Sequence, residues 1–452
     1  MGAKSARKTA EENMVNGFSM HNTPEENSAA LQTALDRGGE ITIEEAGIYD
    51  VSTMLLLSNN TMLRCSPGVI LRRQKCTGET NHCFANRGMY AHETNHNIHI
   101  HGLTLMTNGV ESASYNENTR NAVLGMRGHL AFRYVENLEI RDFTVRDLLK
   151  KDYAIQLCDF SRVVLENLYI EGMKDGVHFG PGTDFVVRHG YFKTFDDPIA
   201  LNGSDYSVSN PTLGWIENGI IEDCHDLAAE STTGFFVRIL SGAWVEWFPD
   251  MEVQQSDAVV YNHRLYRVAM VPNGEKYISH TPPTHEAGIA EVDGIRWVRT
   301  QDECYTAGCR NITFRDITLR KDRNTAFGFI MSEDPYQRCY YPRAPLPLEN
   351  GFVFDNVRVL GKVQNFIYAE GTVDDIRVIH SDLADSRIAF NARSVEGLTY
   401  PETNLTLMAN RMTSETAPIV SSDGIPVRLH AVCNNTATGF RPTIAGEVLM
   451  MD

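Results

Sequence analysis

The sequence predicts an all-β fold: a right-handed parallel β-helix, or solenoid, with an N-terminal capping helix and a small inserted β module. Three observations predict it: a strand motif that recurs along the chain, an amphipathic helical segment before the first copy, and a stretch without the motif in its second half. We assign residues 1–40 to an N-terminal arm and the capping helix, 41–243 to the first part of the β-helix, 244–303 to the insert, and 304–452 to the second part with the C-terminal coils.

The repeated motif reads apolar, any, apolar, polar, then Asn, Asp, Gly or His, and again apolar, any, apolar. Each copy holds two short strands with alternating apolar faces, and the residue between them tolerates the unusual backbone angles of a corner. One unit cannot bury its apolar face alone, but stacked units can, so we expect one coil per repeat. Copies begin at Ile98, Leu138, Val163, Phe185, Ile312 and Phe352, and a degenerate copy begins at Gly214.

Two other repeat architectures fit the segments less well. Leucine-rich repeats need a fixed LxxLxLxxN frame, which is missing, and helical repeats need apolar residues three and four apart. Before the coils, Thr23 is followed three residues later by Glu26, a capping-box pattern, and an apolar stripe then leads to Gly38. Such a lone helix suits the exposed end of a β-helix core. The insert contains an apparent hairpin with Asn262 and His263 at its turn.

The composition excludes several classes of partner. A formal net charge of −17 repels phosphate backbones, so we expect no nucleic acid partner. No apolar run approaches the roughly 20 residues that cross a bilayer, so we expect no membrane association. Nine cysteines without CxxC spacing argue against a disulfide framework and a zinc site. Residues 1–20 show no secretory signal, which predicts a bacterial cytoplasmic protein, or a secreted one if a signal has been removed.

Acidic residues fall into register when the repeats are aligned. Asp175 stands at the same offset from Val163 as Asp197 does from Phe185. Adjacent strands lie about 4.8 Å apart, so these two side chains should be neighbours. Asp196 can join them only if the segment departs from regular strand alternation, and the following proline favours a departure. Three close carboxylates raise one another's pKa, which supplies the acid and the base of glycoside hydrolysis.

Other interpretations of these acids remain open, because Asp-Gly and Asp-Asp pairs are common in turns and stacked acids can bind Ca²⁺. The combination of KDGVHF with FDDPIALN one repeat later nevertheless resembles the polygalacturonase-type glycoside hydrolases of the pectinase β-helix superfamily. In that family an Asn-Thr-Asp-Gly motif precedes Gly-Asp-Asp-Cys at this spacing. The resemblance covers about residues 135–202. It implies inverting hydrolysis of an α-linked galacturonide or related galactoside, a carbohydrate partner, and neither cofactor nor metal.

The resemblance also implies roles for individual residues. Asp196 matches the general acid, and Asp175 with Asp197 match the pair that activates water. His178 and Asn202, within the two motifs, are substrate-binding candidates. The chain departs from the family at Met173 and Lys174 (for Asn-Thr), Phe195 (for Gly) and Pro198 (for Cys).

Three more substrate-binding candidates come from later residues. Arg238 partly matches the family's Arg-Ile-Lys motif, but Leu240 stands at the Lys position, which puts galacturonate recognition in doubt; a buried, salt-bridged Arg is the alternative. His225 follows Gly214 at the same offset at which Asp196 follows Phe185, and its alternative is a surface turn histidine. Trp244 could stack on a sugar, or belong to the core of the insert.

Two other functions stay open on this fold. A polysaccharide lyase would need a basic side chain as proton abstractor beside a Ca²⁺ site. A phage-type tailspike or adhesin would use the β-helix as a shaft that binds polysaccharide, commonly as a trimer, so a homo-oligomer also stays open.

Overall fold

A computed structural model of the chain describes residues 13–75, 82–111, 125–206, 209–230, 232–269, 276–331, 333–334, 337–414, 418–437 and 439–451. Its strands wind into stacked coils, and each strand pairs in parallel with the equivalent strand of the next coil. Three parallel sheets therefore run along the stack. The predicted parallel β-helix is confirmed.

We number the sheets by their order in the motif: sheet 1 contains its first strand, sheet 2 its second, and sheet 3 the strand that precedes the next copy. Long strands cross corners and contribute to more than one sheet: Gly128–Leu148, Tyr153–Gly172, Gly182–Thr194, Trp215–Asp226, Val420–Val432 and Ile444–Met451. The other strands of sheet 1 are Gly39–Ile43, Thr61–Cys65, Asn95–His101, Thr306–Arg315, Glu349–Asp355, Val373–Ile379 and Thr403–Met408. Those of sheet 2 are Gly47–Val51, Val69–Arg73, Thr104–Met106, Thr318–Leu319, Arg358–Val359, Arg411–Met412 and Asn435–Thr436. Those of sheet 3 are Leu55–Leu57, Phe84–Asn86, Val177–Phe179, Ile199–Asn202, Val237–Leu240, Arg323–Ile330, Val363–Ala369 and Arg387–Asn391.

The corner between sheets 1 and 2 repeats the same backbone conformation. Asp142, Asn167 and Asp316 have φ of 54°, 54° and 55°, a left-handed conformation that Asn and Asp adopt more readily than most residues. Inward-facing residues of the adjoining strands, such as Leu165 and Ile170, are fully buried in one continuous core. Corner chemistry and apolar alternation thus define these coils as the motif predicts.

A helix from Pro24 to Arg37 covers the first coil. The Thr23 hydroxyl accepts a hydrogen bond from the Glu26 amide, and the Glu26 carboxylate accepts one from the Thr23 amide, which confirms the capping box. Leu31 and Leu35 are fully buried against the β-helix core, so the helix closes its end as predicted. A second, short helix spans Gly88–Ala91.

One repeat is displaced from its predicted register. Gly219, not Gly214, pairs with Phe185, so the connection that precedes this copy is longer than predicted. The motif copy is therefore Gly219–Asp226, and Gly214 ends the connection before the strand. Connections between coils have no fixed length, so the weak copy could not be aligned by spacing alone.

The insert forms sheets of its own. Val245–Glu246, Ala258–Tyr261, Arg264–Val268, Ile295–Asp302 and Ile289–Val292 make one sheet, and Met251–Gln254 pairs with Lys276–Ser279. Nearby, Gly242–Ala243 pairs antiparallel with Thr306–Arg315, and Glu333–Asp334 pairs with Gln337–Arg338. The predicted hairpin is confirmed, because Asn262 and His263, with φ of 51° and 59°, form its two-residue turn.

The insert shares its core with the coils. Trp297 and Tyr266 belong to one buried cluster with Leu240 and Ile330 of sheet 3, and the Arg267 guanidinium donates to the Asn210 carbonyl at 2.5 Å. No helix among the described residues is long and apolar enough to cross a membrane. The described cysteines form no disulfide, and most of them are buried.

An asparagine ladder at the corner before sheet 1 offers a stability test. Asn97 has φ of 57°, donates to the Asn60 side chain at 2.8 Å and accepts from the Asn137 side chain at 2.6 Å. Asn97→Ala and Asn97→Gly both remove the ladder, but alanine also strains the left-handed backbone by about 1–2 kcal/mol. In urea unfolding we expect the alanine variant to be the less stable of the two. Equal stability would contradict the conformational argument.

Candidate active site

The two aspartates predicted to be neighbours lie in equivalent turns between sheets 2 and 3. The Gly176 amide donates to the Asp197 carbonyl at 2.9 Å, and the Val177 amide donates to the Pro198 carbonyl at 2.9 Å. A Cβ at Gly176 would lie 2.5 Å from the Pro198 carbonyl oxygen, so the close stacking of these turns requires glycine after Asp175. The predicted register of Asp175 with Asp197 is therefore the one observed.

The carboxylates of Asp175, Asp196 and Asp197 converge in these turns. One oxygen atom from each lies within 4.8 Å of the others. Asp197 is buried and accepts a hydrogen bond from the Phe235 amide at 2.7 Å, whereas the side chain of Asp196 is 34% exposed. Asp175 and Asp197 are thus buried, and Asp196 is open to solvent.

Lys174 joins the carboxylates directly. Its ammonium nitrogen lies 3.1 Å from an Asp175 oxygen and also forms an ion pair with Asp196. The repeat spacing that aligns Asp175 with Asp197 aligns Lys174 with Asp196 as well, so this contact had a sequence signal. Lys174 occupies the position beside two carboxylates that a bound cation would need, which disfavours a metal ion in the trio.

His178 and Asn202 lie beneath the trio. Both are 1% exposed. His178 is 3.2 Å from Asp175 and 3.4 Å from Asp205, and its ring stacks on Tyr153 with centroids 4.2 Å apart. Asn202 donates to the Asp205 carboxylate at 2.8 Å. Contrary to the prediction, neither side chain reaches a surface where substrate could bind, and both instead position buried carboxylates.

The three carboxyl groups differ in pKa. Burial opposes ionisation of Asp175, but Lys174 and His178 outweigh it and hold its pKa below the usual range. Burial, followed by the charges of Asp196 and Asp175, raises the pKa of Asp197 to about 7. Burial and Asp175 also raise the pKa of Asp196, against the effect of Lys174. Asp175 is therefore ionised, whereas Asp196 and Asp197 titrate together and can hold a proton.

Arg238 is a substrate-binding candidate near the trio that is not fully buried. It is half-buried, and the charges of Asp205 and Asp197 act on it to raise its pKa further above the usual range, although burial opposes this. Its buried Nε has no hydrogen-bond acceptor within the described part of the chain. Leu240, at the position where the family has Lys, is fully buried.

The remaining two candidates lie elsewhere. The register correction pairs His225 with Tyr191, on which it stacks at 4.7 Å, and not with the turn that carries Asp196. Trp244 is 3% exposed and belongs to the buried cluster shared with the insert, where its indole donates to the Cys304 carbonyl. Neither residue is placed to contact a sugar at the aspartates.

Lys321 holds the backbone around the aspartates and was missed by sequence reasoning. Its buried ammonium group donates to the carbonyls of Thr194, Phe195 and Thr233 at 2.8, 3.0 and 3.2 Å. The first two residues lead into Asp196, and Thr233 precedes the segment that packs on it. Lys321 therefore fixes both chain segments that flank the acid.

The sequence does contain a signal for buried charges close to Lys321. Asp226 occupies a motif position that is apolar in other copies, and it pairs with Phe192 of the preceding coil. Arg323 donates to its carboxylate at 2.6 and 2.9 Å, and both side chains are fully buried. A charge at an apolar position of the repeat indicates a buried polar network.

A cleft of about 500 Å³ lies behind the segment Gly234–Phe235, whose backbone contacts Asp197. Gly234 and Phe235 line it, and later coils contribute Asn365, Tyr368 and Glu370. Gly234 has φ of 71°, and a Cβ there would lie 2.9 Å from an Asp197 oxygen, so only glycine allows this approach. The cleft offers the aromatic and hydrogen-bonding groups that suit a sugar.

No known protein family and no curated protein matches the chain in sequence. Among solved structures, it is similar to a Family 28 exopolygalacturonase of Yersinia enterocolitica, with a TM-score of 0.50 and 14% identity over 95% of this chain and 79% of that one. It is also similar to a polygalacturonase of Erwinia carotovora ssp. carotovora (TM-score 0.47, 10% identity, 96% and 95% covered) and to PfbA, a surface adhesin of Streptococcus pneumoniae (0.47, 12%, 91% and 91%). The first similarity shows a shared fold.

The raised pKa of Asp197 predicts a pH-dependent stability. Its folded value of about 7 exceeds the unfolded value of about 3.9, so its contribution to stability is complete below pH 4 and is lost as pH rises through 7. Asp197→Asn cannot ionise, so its melting temperature should increasingly exceed that of the wild type between pH 4 and pH 8. The exposed Asp184→Asn serves as the matched control. A constant difference across this range would show that Asp197 is not held protonated.

Proposed function

We propose that the protein is a glycoside hydrolase that cleaves an α-linked galacturonide or related galactoside by an inverting mechanism with three aspartates. The convergence of Asp175, Asp196 and Asp197 beside a cleft carries this proposal. Glycoside hydrolysis needs a carboxylic acid to protonate the leaving oxygen and a carboxylate to activate water. The fold shared with a Family 28 exopolygalacturonase is in keeping with this chemistry.

Asp196 is the proposed acid. It is the most exposed member of the trio, and its raised pKa favours the protonated form that must reach a glycosidic oxygen. Asp175 and Asp197 are buried side by side and would together bind the attacking water next to the pair. The low pKa of Asp175 keeps one acceptor ionised throughout.

The charge of Lys174 argues for a hydrolase and against a lyase. A lyase needs a neutral basic group to abstract a proton, but Asp175 and other neighbouring groups raise the pKa of Lys174 well above its usual range, although burial opposes them. The side chain is therefore held as an ammonium group. Its role is to neutralise part of the negative charge that three carboxylates concentrate at one place.

Arg238 favours a substrate that carries a carboxylate. The charges of Asp205 and Asp197 act on its guanidinium, and its buried Nε lacks an acceptor among the described residues. Guanidinium groups bind carboxylates through two parallel hydrogen bonds. A uronate fits this environment, and a neutral galactoside would leave Arg238 without that partner.

Product analysis tests the proposal. Incubation with galacturonan and with α-galactosides should yield new reducing ends, and galacturonide substrates should be preferred. Unsaturated products that absorb ultraviolet light would indicate a lyase, and binding without products would indicate an adhesin. Activity should persist in excess chelator, because carboxylate catalysis needs no Lewis acid.

The configuration of the first product tests the inverting step. The carboxylate oxygens lie within 4.8 Å, whereas the two carboxyl groups of typical inverting enzymes are about 6.5–9.5 Å apart. Inversion therefore requires that water bind beside the Asp175–Asp197 pair and not between acid and base. Retention, followed by NMR of the fresh product, would make one aspartate a nucleophile.

Conservative variants test the roles of the three acids. Asp175→Asn, Asp196→Asn and Asp197→Asn keep side-chain size but remove proton transfer, so each should lower kcat by about 10²–10⁴-fold. Melting temperature should change little or rise for Asp196→Asn and Asp197→Asn, because each change relieves repulsion among crowded charges. It should fall for Asp175→Asn, which leaves Lys174 and His178 without the carboxylate that they contact. The exposed Asp184→Asn is the control. Near-wild-type turnover of Asp196→Asn would contradict its role as acid.

A further inference from the structure

A second cluster of ligating side chains lies on the outer face of sheet 1. His99 and His101 alternate along the strand Asn95–His101, and Glu139 is the register partner of His99 on the next coil. One nitrogen of each imidazole and one oxygen of Glu139 all lie within 4.8 Å of one another. The aspartate trio lies in turns between sheets 2 and 3, so this cluster is a separate site.

The geometry of the cluster leaves one nitrogen unused. Nε2 of His101 is 2.6 Å from Oε1 of Glu139, whereas Nδ1 of His99 is 3.6 Å from the same oxygen. The latter distance is beyond hydrogen-bond range. This buried nitrogen has no other hydrogen-bond partner among the described residues. Two imidazole nitrogens thus face one carboxylate oxygen, and only that of His101 is close enough to hydrogen-bond to it.

The second oxygen of Glu139 is held by Arg141. The guanidinium donates to Oε2 at 2.8 Å and also pairs with Glu166 at 2.7 Å. These contacts orient the carboxylate, so that one oxygen faces arginine and the other faces the histidines. Metal-binding carboxylates are commonly fixed in this way by hydrogen bonds to the oxygen that does not bind the ion.

We propose that His99, His101 and Glu139 bind a divalent transition metal ion of the zinc type. Two imidazole nitrogens with one carboxylate oxygen suit zinc and its neighbours, whereas Ca²⁺ and Mg²⁺ prefer oxygen ligands alone. Metal–ligand distances of about 2.0–2.2 Å in a tetrahedral site place the ligand atoms about 3.4 Å from one another, so Nε2 of His101 and Oε1 of Glu139, now 2.6 Å apart, must separate to admit the ion. The side chains are 17–23% exposed, so they can rotate to do so and leave a further coordination position to water.

The ion would join two successive coils. His99 and His101 belong to one coil and Glu139 to the next, so coordination adds a cross-link parallel to the backbone pairing of their strands. An ion that binds only the folded state stabilises it by mass action. The proposed site is therefore structural, and hydrolysis at the aspartates should not depend on it.

Zinc titration of chelator-treated protein tests the site. We expect calorimetry to show one equivalent of Zn²⁺ bound and the melting temperature to rise with zinc. His99→Ala and Glu139→Gln should each weaken binding by roughly 10-fold or more. His189→Ala, an exposed histidine paired with Asp223, is the matched control and should bind as the wild type does.

Two results would overturn the proposal. One is the absence of saturable zinc binding by the wild type. The other is binding that survives His99→Ala and Glu139→Gln but is lost in Asp197→Asn, which would place the ion at the aspartate trio. Co²⁺ provides an independent readout, because nitrogen coordination in the wild type should give a visible spectrum that both cluster variants lose. The melting temperatures of the metal-free variants show whether each is folded.

Discussion

Parallel hydrogen bonding between equivalent strands of successive coils is the constraint on which the rest of the structure depends. It pairs Val163 with Phe185 and Val177 with Ile199, so the intervening turns are stacked as well. Residues at the same position of neighbouring coils are then about 4.8 Å apart. Columns of like residues follow, including the asparagine ladder at one corner and the aspartates at another. A functional site in such a fold is a column in which chemically active residues recur.

Stacked acidic side chains repel one another, and neighbouring basic side chains offset this repulsion. Uncompensated charges in a buried site are strongly unfavourable, and removing one partner of a buried pair leaves such a charge. Lys174 contacts Asp175 and Asp196, and His178 lies between Asp175 and Asp205. These two side chains lower the pKa of Asp175, His178 also lowers that of Asp205, and that of Asp197 stays high. The contacts that offset the repulsion between the carboxylates therefore also divide them into ionised and protonated members.

Departures from the repeat occur at residues that shape the surroundings of the candidate site. Asp226 stands at an apolar position and binds Arg323, beside the Lys321 ammonium that holds the segments around the aspartates. Gly234 brings the backbone of the next coil against Asp197. The insert adds a cluster shared with sheet 3, so it supports the coils that follow the aspartates. Local exceptions to the motif thus surround the candidate site on several sides.

The sequence by itself determined the features that depend on local pattern. The alternating motif, the left-handed corners, the capping box at Thr23 and the alignment of Asp175 with Asp197 follow from short-range periodicity and backbone preference. Tertiary structure decided which residues are buried and which connections are long. His178 and Asn202 lie in the expected motifs, but coils on either side bury them; Gly219 replaces Gly214 in register because a connection has no periodic length. Burial and pairing across coils arise from residues distant in sequence, so no local pattern contains them.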